Sequence, residues 1–519
     1  MARPEVVRTT AEDGAASTGT LLVRGSILRV LTMIAGMAVG LFLMPFLIHA
    51  LGDREYGIWT LAVSIAAYYA LLDLGLARAA TRYLARAISL DDVVEANSVT
   101  ITALAILAGM GVITLLTSIV IAWNVEWFVT DAEEVWPFRF VILILAADAA
   151  LMLPSLILSA VLLAYYRFDL LAWAHLAAMA VRTALIVTLV VQGYSLVAMA
   201  LVILCTNLLS RVALAVSAFC LFPWIELRLA LLHRRQARQL LWYGRYAFLA
   251  ACADRIRSHG GIIIIAAITD LATVTHYGIA VRIAQSFAEM LVQALGVVGP
   301  LFMRSDPLGD RAKTRENLLL TTRLSALVSV TTTGAIVLLG DRFIGLWIGE
   351  DYRDAYWPLV ILTSSFAVWL MQWPSISVLY ATAKHRFYAC LSLCEAAANV
   401  SLSVILGQFY GMVGVSMGTA IPLLITMLVV HPRYVCRMLH LDLSAYYREI
   451  GRAVFYALLS QIPLFVVVRV SSVTSMVGML ALCFAYYPPC WAFLVRRVLP
   501  EPDRRRLRAT APTLRWLWI

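Results

Sequence analysis

Charge is what this 519-residue chain has least of: 14% of its residues are Asp, Glu, Lys or Arg against 62% hydrophobic, where soluble domains carry about 25% and about 45–50%. That deficit excludes a soluble protein. No CxxC pair and no His/Cys cluster at metal-ligand spacing occurs, so neither a metal nor a cofactor is expected. The eight cysteines (Cys205, Cys220, Cys252, Cys390, Cys394, Cys436, Cys483 and Cys490) fall in or beside apolar stretches and read as small packing residues. GxxxxGK[ST] and HExxH are both missing, which argues against a built-in ATPase and a zinc peptidase. No polar segment is long enough to house a catalytic domain, so the chain reads as no enzyme. The polar opening MARPEVVRTTAEDGAASTGT precedes no short apolar run with a cleavage site, and the first apolar stretch is expected to direct insertion itself.

What is present is about fourteen apolar stretches, each near the roughly 20 residues that cross a bilayer. They lie near 24–50, 56–84, 95–122, 137–163, 170–192, 195–222, 241–268, 273–303, 317–340, 357–382, 387–408, 411–432, 450–470 and 475–495. The expected fold is an all-α polytopic membrane protein of about fourteen transmembrane helices. With the N-terminus inside and sides alternating, twenty-eight Lys and Arg fall in inner segments and five in outer loops: Arg54, Arg139, Arg342, Arg353 and Arg469. This asymmetry follows the positive-inside rule and places both termini in the cytoplasm. The net charge of +10 is therefore topology, and no nucleic-acid partner is expected.

Five markers recur about 220 residues on. Tyr56-Gly57-Ile58 returns as Tyr277-Gly278-Ile279, Trp136-Pro137 as Trp357-Pro358, Pro154-Ser155 as Pro374-Ser375 and Arg167-Phe168 as Arg386-Phe387, with Glu95 and Asn97 loosely matched by Glu316 and Asn317. An even number of spans per copy inserts both the same way up, as parallel repeats with substrate expected between the halves. The divisions are a flexible N-tail 1–20, a six-span lobe 21–222, a basic cytoplasmic linker 223–240, a second six-span lobe 241–440, two further spans in 441–497, and a basic cytoplasmic tail 498–519. Arg504, Arg505, Arg506 and Arg508 with Trp516 and Trp518 suit that tail to an anionic lipid surface.

Eight arginines remain inside spans: Arg29, Arg182, Arg211, Arg245, Arg255, Arg257, Arg282 and Arg323. At about 2.5–3.5 kcal/mol each at the centre of a lipid-facing helix, they must meet partners, water or an interface. Arg211 and Arg323 either snorkel or pair within the bundle. Arg245, Arg255, Arg257 and Arg282 crowd the first two spans of the second half, close to Asp254, His259 and Glu289. Arg282, Gln285, Glu289 and Gln293 form one helical stripe, which lines a cavity or joins a buried network between helices. Asp254 is expected to meet Arg257 at i+3, and Arg255 to reach His259 at i+4. In the first half, Asp73 is either an intramembrane carboxylate or an N-cap at a helix break beside Gly75. Arg78, Arg82 and Arg86 are expected at lipid headgroups or, for Arg78, at a cavity mouth. Gly36 and Gly40 form a GxxxG pair.

The run LGDREYGIWTLAVSIAAYYALLDLGLARAATRYLA at 51–85 resembles the second span of bacterial polysaccharide transporters of the O-antigen flippase type, members of the multidrug/oligosaccharidyl-lipid/polysaccharide (MOP) exporter superfamily. FIGLWIGEDY at 343–352 and GMVGVSMGTAI at 411–421 are similar to that family's later connections. The resemblance implies a two-lobed flippase of the bacterial inner membrane. It would move an undecaprenyl-diphosphate-linked oligosaccharide by alternating access, beside membrane lipids and with a polymerase and glycosyltransferases as pathway partners. Arg29, Arg245, Arg255, Arg257 and Arg282 are then the candidate diphosphate ligands, since guanidinium forks suit phosphate, and Asp73, Asp254 and Glu289 the pairing or coupling acids. Tyr68 and Tyr69 are sugar contacts or packing, and the isoprenoid tail is expected in lipid, along a groove of the last two spans. The alternatives are a cation-coupled multidrug antiporter, a peptidoglycan-precursor flippase, or a membrane sugar polymerase or ligase, which would require a large outer loop.

Overall fold

The computed structural model describes residues 11–127, 132–226, 228–296, 302, 310–382, 384–470 and 475–510, and among them every regular element is helical. The chain divides into two compact units, Met1–Ala251 and Cys252–Ile519.

The first unit holds α1 (Ala11–Leu51), α2 (Asp53–Tyr69), α3 (Leu76–Ser89), α4 (Val93–Trp123), α5 (Ala132–Ala164), α6 (Phe168–Val191), α7 (Leu196–Leu221) and most of α8 (Arg234–Arg255). Helix α5 packs against α2, α3, α4 and α7, while α6 packs against α1 and α7. Between α2 and α3 the chain breaks where LLDLGL turns: Leu74 and Gly75 are both left-handed, with φ of 52° and 74°. Asp73 Oδ1 accepts from the Ala77 N–H at 2.9 Å, satisfying a free donor in the first turn of α3 beside its N-cap residue Gly75. A Cβ on Gly75 would sit 2.8 Å from the Gly244 carbonyl of α8, so only glycine permits this approach. Asn97 of α4 ties down the chain after α7, donating to the Trp224 carbonyl at 2.8 Å and accepting from the Glu226 N–H at 2.8 Å. Gly36 meets α6 at Met179 at ordinary contact distance, so the GxxxG pair draws no helices unusually close there. Tyr69 is packed, with its hydroxyl accepting from Ser118 at 2.5 Å.

The second unit continues from α8 through a π-turn (Ile256–Gly260) into α9 (Gly261–Ile268), then α10 (Leu271–Leu295), α11 (Arg311–Trp347), α12 (Tyr356–Met371), α13 (Trp373–Ala381), α14 (His385–Ile425), α15 (His431–Leu439), α16 (Leu443–Leu459), α17 (Gln461–Val470), α18 (Met476–Val498) and α19 (Glu501–Thr510). Helix α12 packs against α10, α11 and α14, while α9 lies against α14 and α16 against α11 and α18. Arg323 of α11 is buried and does not snorkel: it binds Glu449 of α16 at 3.0 Å and Asp503 of α19 at 2.8 Å, pinning the C-terminal helix. Trp516 and Trp518, and the side chains of Arg506 and Arg508, lie outside the described residues.

Among the described residues eleven helical stretches, not fourteen, are long and apolar enough to cross a membrane. One of them, Arg386–Leu439, is 54 residues long. It reverses at Gly411, whose φ of 56° and ψ of −134° no helix tolerates, and Ser403 then donates to the Val415 carbonyl at 3.2 Å across the hairpin. The other two missing stretches are α8–α9 and α10, whose charged and polar residues remove them from the count. Cysteine packing is also corrected. Cys436 and Cys490 are buried, but Cys205, Cys220, Cys390 and Cys394 are exposed on the helix surfaces, where a membrane protein meets lipid.

Candidate functional site

One turn of wide helix organises the second unit's polar residues. The π-turn Ile256–Gly260 adds a residue to the α8–α9 path, and one residue rotates every later side chain by about 100°. The expected i+3 pair therefore does not form. Arg257 turns from Asp254 to Glu395 of α14, its Nε and Nη2 donating to Oε1 at 3.0 and 2.8 Å. Both side chains are buried. Thr426 donates to the other carboxylate oxygen at 2.9 Å, and the guanidinium lies 5.6 Å from the Trp369 ring centre. Gln285 of α10 donates to the Ser258 carbonyl at 2.6 Å, satisfying a backbone group that the π-turn presents.

Beside this turn lies a hollow of about 340 Å3, lined by Asp254, Arg255, Arg257, Ser258 and His259, by Gln285, Glu289 and Gln293 of α10, and by Phe366 and Trp369 of α12. The α10 stripe thus lines a cavity through three of its four members. Arg282, the fourth, is exposed on α10 and does not line it. Arg255 lies close enough to act on His259 through its charge, while the imidazole Nδ1 meets no hydrogen-bond partner among the described residues. The lining holds Arg255 and Arg257 against Asp254 and Glu289, and Arg257 is already neutralised by Glu395. A predominantly cationic wall, expected from the arginine count, is therefore not what the hollow presents. Arg255 is its one arginine without an acidic partner among the described residues.

The remaining candidates lie elsewhere. Arg245 of α8 is exposed and stacks on its neighbours Trp242 and Tyr246, 4.2 and 4.6 Å from the ring centres. Asp73 serves the first turn of α3. Arg29 lies on α1 with its side chain outside the described residues. In the first unit, Arg211 pairs with Asp148 of α5 at 2.8 Å rather than snorkelling. Asn207 donates to the same carboxylate at 3.1 Å and accepts from Arg182 at 3.4 Å.

Sequence reasoning missed Glu395 and Asp148, although each carried a signal. Glu395 is the only acidic residue between Asp354 and Asp442, and Asp148 the only one between Glu134 and Asp169. A lone acid in a long apolar tract must have a partner. The second unit also has an apolar hollow of about 500 Å3 between α17 and α18, lined by Ile462, Pro463, Tyr486, Pro489 and Phe493 among others.

Residues 49–356 match the family described as polysaccharide biosynthesis protein. No curated protein matches the sequence. Among solved structures the fold is similar to lipid II flippase MurJ in an inward closed conformation, at 13% identity and a TM-score of 0.69 over 91% of this chain and 99% of that one. It is similar to an inward-facing MATE multidrug resistance transporter of the MOP superfamily at 15% identity and 0.64, over 80% and 98%. A Pyrococcus furiosus transporter of that superfamily, described as having a binding pocket of reversed polarity, matches at 15% and 0.59 over 81% and 96%.

Proposed function

We propose, from the premise that this chain belongs to the polysaccharide biosynthesis protein family, that it is a flippase carrying an undecaprenyl-diphosphate-linked oligosaccharide from the inner to the outer leaflet of the bacterial cytoplasmic membrane. The arginine-bearing helices α8 to α10 would be exposed to each face in turn. The observation that carries this reading is that Arg255 and Arg282 sit on helices outside the eleven apolar stretches of a multi-pass membrane protein, with no acidic partner among the described residues. Unpaired guanidinium groups in that setting are costly unless an anion or water meets them. A diphosphate supplies the anion, through two-pronged charge-assisted hydrogen bonds. Arg257 joins them only by leaving Glu395, and Asp254 and Glu289, which line the same hollow, are the candidate coupling acids. Arg245 and Arg29 are secondary candidates, and Asp73 is left to structure. The apolar hollow between α17 and α18 suits an isoprenoid chain, as the resemblance implied.

The balanced charge of the hollow favours a second reading, a cation-coupled antiporter, in which Asp254 and Glu289 meet a cationic drug. The deciding experiment measures lipid-linked oligosaccharide in cells lacking the protein, rescued by wild type, Arg255→Ala, Arg282→Ala or Arg282→Lys at matched membrane expression. Accumulation on the inner leaflet, uncorrected by the alanine variants, is expected. No accumulation, with raised drug sensitivity, would replace the flippase by the antiporter.

A further inference from the structure

A polar cluster lies deep in the second unit, away from the hollow. Gln372, in the break between α12 and α13, is completely buried, as are Ser375 of α13 and His431 of α15, and Tyr446 of α16 is almost so. Tyr446 donates to Gln372 Oε1 at 2.7 Å. Ser375 Oγ lies 3.1 Å from the same oxygen and 3.2 Å from His431 Nδ1. From His431 the polar line continues to Tyr388 of α14, whose ring meets the imidazole edge-on at 6.1 Å. The Tyr388 hydroxyl accepts from Trp369 Nε1 at 3.4 Å, and Trp369 carries Arg257 on its face.

Three polar atoms of this line are buried and meet no protein partner among the described residues: Gln372 Nε2, His431 Nε2 and Ser392 Oγ, the last one turn along α14 from Tyr388. Turning the Gln372 amide over only exchanges which of its atoms lacks a partner, because Tyr446 and Ser375 occupy one side of it. Buried polar groups are almost always satisfied, by protein or by fixed water, and the demand is stricter inside a membrane. A water needs two to four polar partners, and imidazole, amide, phenol and hydroxyl groups stand along this line.

We propose that these atoms bind water, so that a short file of fixed water molecules runs through the second unit from Tyr446 to the neighbourhood of the Arg257–Glu395 pair. The ligand is water itself, and the site holds whatever the cargo is. Its consequence is for that ion pair. A buried pair separates only at great cost if both charges lose their solvation, and the file offers solvent by way of Tyr388 and Trp369, in addition to the hollow that Arg257 lines.

The test is X-ray radiolytic labelling of the whole protein in lipid nanodiscs, in isotope-labelled water and read by mass spectrometry, because radicals born from fixed water mark the side chains beside it. Tyr446 is expected to label several-fold faster than Tyr277, which is equally buried, and Tyr388, at 8% exposure against 1%, faster than that difference in exposure accounts for. His431→Leu should slow both labels, with Tyr277 still protected, whereas His431→Asn should retain most of them. Tyr446 and Tyr388 as silent as Tyr277 in the wild type would overturn the proposal. Labelling unchanged by His431→Leu would overturn the placement at His431. Should His431→Leu unfold and expose Tyr277, the wild-type comparison alone decides.

Discussion

Apart from the buried Arg323 cluster that pins the C-terminal helix, each unit sets one arginine against the lone carboxylate of a long apolar tract, yet the two pairs are built differently. In the first, Asp148 and Arg211 belong to continuous α-helices with no π-turn, and Asn207 and Arg182 extend the pair into a chain of side chains that bridges α5, α6 and α7. In the second, Arg257 reaches Glu395 from a π-turn, beside an open hollow and an arginine that pairs with no acid among the described residues. The first arrangement has nothing to release. The second keeps one guanidinium paired and another without an acidic partner among the described residues, the arrangement from which anion binding is proposed. The difference lies in backbone register more than in residue type, since a single inserted residue turns Arg257 away from Asp254.

Breaking the second pair should have the largest effect. Glu395→Leu leaves Arg257 buried without a counter-charge and is expected to cost about 3–5 kcal/mol, read as a lower unfolding midpoint of the purified protein. Adding Arg257→Met should recover most of that loss, because an apolar pair of similar volume is often no worse than the ions it replaces. If the double variant stays as unstable as the single one, Glu395 acts through Thr426 rather than through Arg257. Next comes Asp148→Asn in the first unit, expected to cost about 1.5–3 kcal/mol for the lost charged hydrogen bonds. That pair is slightly more exposed, and Asn207 remains to hold Arg211. The comparison predicts that Asp148→Asn lowers stability while glycan export persists, and that Arg255→Ala does the reverse.

How much of this contrast was legible depends on what the signal was. Long apolar runs announce their helices, and the break at LLDLGL shows itself by Asp73 and Gly75 because left-handed backbone and a short capping side chain leave a mark in residue type. The reversal at Gly411 is less visible, since a lone glycine in a span is ordinary. The π-turn is not visible at all, because helical spacing assumes a constant angle per residue and Ile256–Gly260 violates it with unremarkable residues. For that reason Arg257 makes its ion pair with Glu395 rather than Asp254, although Asp254 still acts on Arg257 and Arg255 on His259 through charge, and the grouping of Asp254, Arg255, Arg257 and Glu289 around one hollow survives. Counting charges also misled, because Glu395 is 138 residues from the arginine it neutralises and no local pattern connects them.

Helix capping extends the comparison to smaller energies. Asp73 serves the first turn of α3 from a half-buried position in the first unit, so Asp73→Ala is expected to cost about 1–2 kcal/mol, the upper part of the range for lost caps. Asp73→Asn should be nearly neutral, since asparagine caps as well. A large loss in Asp73→Asn would mean that the charge, and with it the coupling role, matters after all.

Asp270 is the second unit's counterpart, capping α10 from an exposed turn outside the spans. Its carboxylate accepts from the Thr273 N–H at 2.9 Å and the Thr273 hydroxyl at 3.0 Å. The backbone hydrogen bond from Thr273, ahead of the partial burial that opposes it, holds its pKa below the usual carboxylate range. A depressed carboxylate contributes stability that is complete above the unfolded value, about 3.9, and that is lost as pH falls through the lower folded value. Exposure limits the effect, so Asp270→Ala should cost about 0.5–1 kcal/mol at neutral pH and progressively less below about pH 4. Unfolding midpoints of wild type and Asp270→Ala should therefore converge on acidification. Midpoints that stay equally far apart down to the lowest pH would show that aspartate's shape, rather than its charge, supports the start of α10.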